Sequence, residues 1–173
     1  MSGKRILIIG CGGSGKSTLA RQLGSRLRIP VTHLDQLYWR KGWNPVSEEE
    51  FDALLQRELE KECWIIDGNY NRTLENRLRY CDTVIYLNYS RWVCLSSAFL
   101  RVFRNWGKTR PDMGEGCPEK IDFEFVKWIW TFNRTYRKQY LALLNRYPDK
   151  EIYILYRRGE SKNLIEMREN HSV

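Results

Sequence analysis

Short apolar runs alternate with longer segments whose apolar positions recur every three to four residues. The runs Arg5–Ile9, Ile29–His33, Cys63–Asp67, Thr83–Leu87 and Glu151–Leu155 have the length and composition of buried strands. Pro30 lacks an N–H, which places it at the start of its strand. Helical spacing covers Lys16–Leu27. Ser47 with Glu50 three residues on is a capping-box spacing, and it predicts a helix to about Lys61 with Phe51, Leu54, Leu55 and Leu59 on one side. A short helix is predicted over Thr73–Arg79, and Ser90 caps another running to about Arg104. A long helix over Glu119–Tyr147 is stopped by Pro148, and Ser161–Arg168 reads as a terminal helix. Leu34–Pro45 reads as irregular, and Asn105–Pro118, rich in Gly and Pro, as a mobile loop. Strands alternating with helices imply an α/β chain whose parallel sheet is covered on both faces. With no repeat and no linker, one domain over residues 1–173 is expected.

The first strand-to-helix junction carries chemistry. Gly10-Cys11-Gly12-Gly13-Ser14-Gly15-Lys16-Ser17 meets the phosphate-loop pattern G-x-x-x-x-G-K-[ST] at every fixed position, in the strand–turn–helix context it needs. Its glycines let backbone N–H groups converge on a phosphate, and the helix beginning there adds its positive end. Gly10, Gly12, Gly13, Ser14, Gly15, Lys16, Ser17 and Thr18 are therefore the candidate ATP-binding residues. Lys16 is placed to reach the β- and γ-phosphates and Ser17 to hold Mg²⁺.

Composition narrows the setting. The net charge is +8 and the pI about 9.3, which suits polyanions or phosphorylated small molecules without choosing between them. Five cysteines without a C-x-x-C pair argue against a metal site or disulfide framework and for a reducing cytoplasm. Cys11, inside the phosphate loop, reads as a small filler. No apolar run reaches spanning length and the N-terminus runs straight into a strand, so neither a membrane partner nor a signal peptide is expected.

Asp67 ends the third strand, at the edge where α/β sheets gather ligands. It reads either as Mg²⁺ support or as a turn cap before Gly68. Asp35, after the second strand, reads as acceptor binder and base or as a loop cap. Arg72 reads as an acceptor contact or a surface charge, and His33 as structural or substrate-lining. Arg101, Arg104, Lys108 and Arg110 flank or occupy the glycine-rich loop, with Arg134, Arg137 and Lys138 on the long helix beyond it. If that loop closes, with Gly107, Gly114 and Gly116 as hinges, these cations offset charge on the transferring phosphoryl group. Singly, each is equally a solvated charge.

The phosphate loop, His33-Leu34-Asp35, Trp64-Ile65-Ile66-Asp67-Gly68-Asn69-Tyr70, Thr109-Arg110-Pro111-Asp112-Met113 and Gly116-Cys117-Pro118 together resemble the adenylate-kinase-like P-loop proteins labelled DNA topology modulation proteins. The resemblance spans nearly the whole chain. It implies a P-loop kinase fold: a five-stranded parallel sheet sandwiched by helices, an acceptor-binding insertion (about 35–61) and a lid (about 105–117). It also implies adenine near residues 157–161, with Arg157 beside it, and transfer from ATP to a nucleotide or other small acceptor. The stretch Asp67-Gly68-Asn69-Tyr70-Asn71-Arg72 is one residue longer than its adenylate kinase counterpart, so an AMP acceptor does not follow. The family label offers an alternative, a DNA-associated nucleotide-binding regulator. The sequence contains no DNA-reading element, so DNA binding is expected to be weak and non-specific.

Overall fold

Backbone pairing follows the apolar runs. The computed structural model describes residues 4–119 and 122–169, with side chains to residue 166. In chain order the elements are β1 (Arg5–Gly10), α1 (Lys16–Leu27), β2 (Val31–His33), α2 (Leu34–Tyr38), β3 (Trp39–Arg40), β4 (Asn44–Pro45), α3 (Glu48–Leu59), β5 (Trp64–Asp67), α4 (Asn71–Tyr80), β6 (Thr83–Leu87), α5 (Arg91–Asn105), α6 (Phe123–Leu144), β7 (Glu151–Leu155) and α7 (Arg158–Glu169). Five strands form one sheet in the order β2-β5-β1-β6-β7, every neighbour pair parallel. Parallel neighbours need long crossovers, and the helices supply them. On these pairings, α1 packs on β1, β2 and β5 and beside α7, while α4 packs on β1 and beside α3.

The register explains where a site can form. Ile8 pairs with both Asp67 and Ile85, and His33 pairs with Asp67. The carboxyl ends of β1, β2 and β5 therefore bring Gly10, His33 and Asp67 to one edge. From β1 the chain crosses to β2 on one side and later places β6 on the other, so this edge is a topological switch point, the usual place for ligands in open α/β sheets. Beneath it, Ile6, Leu7, Ile8 and Ile9 are fully buried, each contributing roughly 1.5–3 kcal/mol.

Several boundaries differ from the sequence reading, each for a local reason. β2 begins at Val31, because Ile29 is still tied to the end of α1 through its N–H to Gly24 O (3.1 Å). Leu34–Pro45 is ordered: a helical turn leads into the β3–β4 hairpin, which Gly42 (φ 77°) and Trp43 (φ 65°) reverse. Ser47 does cap α3, its Oγ accepting from Glu50 N at 3.1 Å. α6 starts at Phe123 rather than Glu119, with Asp122 as its cap (Oδ1 from Glu124 N, 2.9 Å). Glu119 belongs to the preceding loop, whose two limbs it joins: Gly107 N donates to Glu119 O (3.2 Å) and Glu119 N to Lys108 O (2.9 Å). Residues 120–121 of the expected long helix, and the chain ends 1–3 and 170–173, lie outside the described residues.

Candidate phosphoryl-transfer site

The phosphate loop has the conformation its glycines permit. Gly10, Gly13 and Gly15 have φ of 147°, 75° and 96°, values that L side chains rarely adopt. At Gly13 an added Cβ would lie 2.2 Å from Cys94 O, and at Gly12 it would lie 2.6 Å from the Phe125 ring. The loop is thus packed against α5 and α6 as well as turned by its own backbone. Cys11 is buried within it, and hydrogen bonding with Cys94 together with burial pushes its thiol well above the ordinary range. An unreactive filler fits that environment.

Lys16 Nζ donates to Gly10 O (2.9 Å) and Cys11 O (3.0 Å), so its ammonium lies across the mouth of the loop. Ser17 Oγ donates to Asp67 Oδ2 at 2.8 Å, and the other Asp67 oxygen pairs with His33 Nδ1. Hydroxyl and carboxylate oxygens are the donor set a hard divalent cation prefers, so Ser17 and Asp67 fit Mg²⁺. Ser14 Oγ is buried and has no hydrogen-bond partner among the described residues, a polar atom inside the loop that a phosphate oxygen would satisfy. Asn69 Oδ1 accepts from Gly10 N (3.0 Å), fastening the loop after β5 to the phosphate loop.

Asp35, in the first turn of α2, accepts from the Tyr70 hydroxyl at 2.8 Å. Burial raises its pKa above the ordinary carboxylate value. The Tyr70 hydrogen bond opposes this, Asp67 adds to it, and Lys16 and Arg110 oppose it. The same balance places Asp35 within electrostatic reach of the phosphate-loop lysine, Asp67 and the loop arginine. Tyr70 in turn packs with Tyr38 and Phe51 (ring centroids 5.0 Å in both cases).

Loop 105–119 is docked onto segment 34–46 rather than standing free. Gln36 Nε2 donates to Pro111 O (2.5 Å), Gly42 N to Gly116 O (3.0 Å), Trp43 Nε1 to Pro118 O (3.3 Å) and Cys117 Sγ to Arg40 O (3.2 Å). The expected hinge role of Gly114 and Gly116 is corrected by this packing. A Cβ on Gly114 would sit 1.9 Å from Trp39 O, and one on Gly116 would meet Lys41 at 2.6 Å. Gly107, with open space around it and φ 68°, keeps the conformational freedom expected of it.

Within the loop, Arg110 bridges Asp112 (3.3 Å) and Glu119 (2.7 Å). Arg101 also reaches Glu119 (2.9 Å), and Arg21 reaches Asp112 (3.4 Å). Burial alone would raise Asp112, but the Arg110 charge and the neighbouring Ser17 hydroxyl outweigh it and leave the carboxyl below its ordinary pKa. Asp112 therefore brings a second acid from the docked loop to the phosphate-loop serine. Its only mark in the sequence was its place in the Arg110-Pro111-Asp112-Met113 stretch.

Other candidates lie elsewhere. Arg72 is on the first turn of α4, exposed, and held bidentately by Asp52 (2.8 and 2.7 Å) with Glu48 at 3.6 Å. Its geometry is that of a tie between α4 and α3, not of an acceptor contact, because its guanidinium faces are occupied by those carboxylates. Arg134 is exposed and nine residues beyond Phe125, on the opposite side of α6 from the ring that covers Gly12. The structure does not bring it to the phosphate loop. Arg104, Arg157 and Thr18 are also exposed.

Sequence reasoning missed Arg77 altogether. This guanidinium is fully buried and donates to Gly68 O (2.8 Å), Tyr70 O (2.9 Å), Thr73 O (3.3 Å) and Asn69 O. Burial lowers its pKa to about 10. It fixes the strand-end segment that presents Asn69 to the phosphate loop and Tyr70 to Asp35. An arginine on an otherwise helical surface pattern carries no mark of this role.

Solved structures with this fold include a shikimate kinase from Bacteroides thetaiotaomicron (18% identity, TM-score 0.55, 98% of each chain covered). A deoxyadenosine kinase from M. mycoides with bound dATP is similar at 17% identity and TM-score 0.56, over 95% of this chain and 98% of that one. A shikimate kinase from Acinetobacter baumannii in complex with shikimate matches at 14% and 0.54, over 94% and 89%. These likenesses give the class: an α/β P-loop kinase fold with a five-stranded parallel sheet flanked by helices. No family model and no curated protein matches the chain. None of the three structures carries the DNA topology modulation label, and no feature of the site supports it.

Proposed function

We propose that the chain is an ATP-dependent phosphotransferase of the nucleoside-monophosphate-kinase type, acting on a nucleotide or other small acceptor. The observation that carries this reading is one sheet edge combining a glycine-turned phosphate loop, the Ser17–Asp67 hydrogen bond (2.8 Å) and Asp35 beside them. The kinases of similar fold support it. One is in complex with shikimate and another has bound dATP, a small molecule and a nucleotide of the kinds proposed here.

In this reading the loop N–H groups and Lys16 bind the triphosphate, Lys16 exchanging two loop carbonyls for phosphate oxygens. Mg²⁺, held by Ser17 and by Asp67 directly or through water, would neutralise phosphate charge. Where the accepting group is a hydroxyl, Asp35 orients it and takes its proton as the new oxygen–phosphorus bond forms and the bond to the departing ADP breaks. A raised pKa suits it to that task, since a base is most effective when its pKa approaches the working pH. Arg110 is the loop cation best placed to follow the transferring charge. Its present carboxylate partners are exchangeable for phosphate. Arg104 and Arg157 are assigned to ATP only in a more closed form.

The test is an ATP-consumption screen against nucleoside monophosphates and small hydroxylated metabolites, run beside ATP titration calorimetry. Acceptor-dependent ADP release, lost in Lys16→Ala, is the expected result. ATP binding without turnover on any acceptor would favour the nucleotide-binding regulatory reading instead.

A further inference from the structure

α5 is apolar on two sides. Its inner side buries Cys94, Leu95, Ala98 and Val102. Its outer side carries Trp92, Phe99 and Phe103 at spacings of seven and four residues, one continuous helical stripe, with Trp106 just past the helix end. Phe103 is 84% exposed, Trp92 66% and Trp106 61%. Beside it, α6 presents Phe123, Lys127, Trp130 and Arg134 on its own outer stripe, with Phe123 83% exposed. The two stripes join where Trp92 meets Trp130 edge-on (5.1 Å) and Arg91 covers the Trp130 ring (4.8 Å). Together with Leu100, these side chains expose on the order of 800 Å² of apolar surface, above the few hundred usual for the largest patch on a soluble monomer.

The charge around this face is one-sided. α5 contains no Asp or Glu, and Arg91, Arg104, Lys108, Lys127 and Arg134 are all exposed on or beside the stripes. Among the described residues of α5, α6 and the α6 cap, the exposed acids are Asp122 and Glu124, at the Phe123 end. A second copy would set Arg91, Arg104, Lys127 and Arg134 against their own counterparts over most of this face, so self-association is opposed. Base stacking on Trp130 is poorly served as well, since Trp92 and Arg91 already occupy its ring. Protruding aromatics ringed by cations suit a surface that is anionic outside and deformable beneath, where rings enter without a preformed pocket.

We infer that the α5–α6 face is a peripheral docking surface for anionic lipid bilayers. The inference is independent of the kinase reading. No described helix is long and apolar enough to cross a membrane, so association would be interfacial. It departs from the sequence expectation of no membrane partner, which rested on the lack of a spanning run.

The experiment is co-sedimentation of the full chain with phosphatidylglycerol vesicles and, separately, phosphatidylcholine vesicles, with tryptophan emission recorded in each. The expected result is pelleting on phosphatidylglycerol with a blue shift, weakened by salt, and at least tenfold less on phosphatidylcholine. Phe99→Ser with Phe103→Ser, and separately Arg91→Glu with Lys127→Glu, should each cut the partition at least tenfold. Circular dichroism and melting temperature check that these variants remain folded. Equal pelleting on both lipids, or none on phosphatidylglycerol at low salt, overturns the inference. So does a concentration-dependent dimer in sedimentation velocity that the Phe variant dissociates, or tighter binding to a single-stranded oligonucleotide than to the vesicles.

Discussion

The phosphate loop and the clamp between segment 34–46 and loop 105–119 both depend on glycine, yet for different reasons. Gly10, Gly13 and Gly15 need glycine for their backbone angles. Gly114 has no such angle; it needs glycine because Trp39 O comes within 1.9 Å of where its Cβ would be. The first requirement is local and leaves a fixed spacing in the sequence. The second is set by a partner seventy-five residues away and leaves none. The two regions meet at Ser17, Asp35 and Asp112, and the experiments below ask whether they are separable.

The largest effect is expected at the phosphate end. Lys16→Ala should lower acceptor-dependent ATP consumption by about 100-fold or more, the size typical of losing a built-in donor to transition-state charge. Its present contacts are two loop carbonyls, so circular dichroism and melting temperature should barely change. Unchanged turnover would remove the phosphate loop from the chemistry.

Asp35→Asn should slow turnover by about 10²-fold, the lower range for general-base catalysis, with ATP affinity retained. This variant also tests a contrast between two acids. The folded chain holds the Asp35 proton to higher pH than the unfolded chain does, chiefly through burial. Folded protein then binds more protons in that window, so stability falls as pH rises from the ordinary carboxylate value to the raised one. Asp112 runs the other way. Burial is outweighed there by Arg110 and Ser17, so its contribution is present above the unfolded pKa and lost as pH falls through the lowered one. Urea melts from pH 3 to 7 should show Asp35→Asn removing the loss on the rising side and Asp112→Asn removing the loss on the falling side. Identical profiles for the two variants would mean that the carboxylates do not differ in environment.

Paired glycine substitutions sharpen the comparison directly. Gly13→Ala combines a positive φ with a 2.2 Å approach to the Cys94 backbone, and should cost about 3 kcal/mol in urea unfolding together with ATP affinity. Gly114→Ala meets backbone as closely but without a positive φ, in a loop held to segment 34–46 by a few hydrogen bonds, and should cost about 1–2 kcal/mol. Hydrogen exchange should then lose protection over 36–46 and 108–118 while ATP affinity is kept. If Gly114→Ala weakens ATP binding as much as Gly13→Ala does, the clamp and the phosphate loop act as one unit.

What the sequence made legible follows the same division. The strand runs, the Ser47 and Ser90 caps and the phosphate loop are all local codes, and each appears within two residues of where it was predicted, β2 starting latest at Val31. The placement of Asp35 and Asp67 at one sheet edge was legible because the ends of β2 and β5 converge there. The hairpin within Leu34–Pro45 was not, since Trp43 at φ 65° is a conformation that an aromatic residue rarely signals. Arg77 was hidden because its four acceptors are carbonyls, and carbonyls belong to every residue. The docking of loop 105–119 was hidden because Gly and Pro mark a turn without saying what the turn rests on.

The smallest effect is expected where sequence proximity to Asp67 suggested an acceptor contact. Arg72 is exposed, and its bonds run to Asp52 and Glu48 on α3. An exposed ion pair contributes about 0.2–1 kcal/mol even with good geometry, because water solvates the separated charges almost as well. Arg72→Ala should therefore shift urea stability by no more than about 1 kcal/mol, and Asp52→Ala by a similar amount. The double variant should cost little more than either single one, since both remove the same pair. The acceptor KM should stay within about twofold, given that the guanidinium is engaged on the α3 side. A KM rising tenfold in Arg72→Ala but not in Asp52→Ala would mean that Arg72 leaves its carboxylates to meet the acceptor. It would then belong with Asp35 at the reacting end of the molecule.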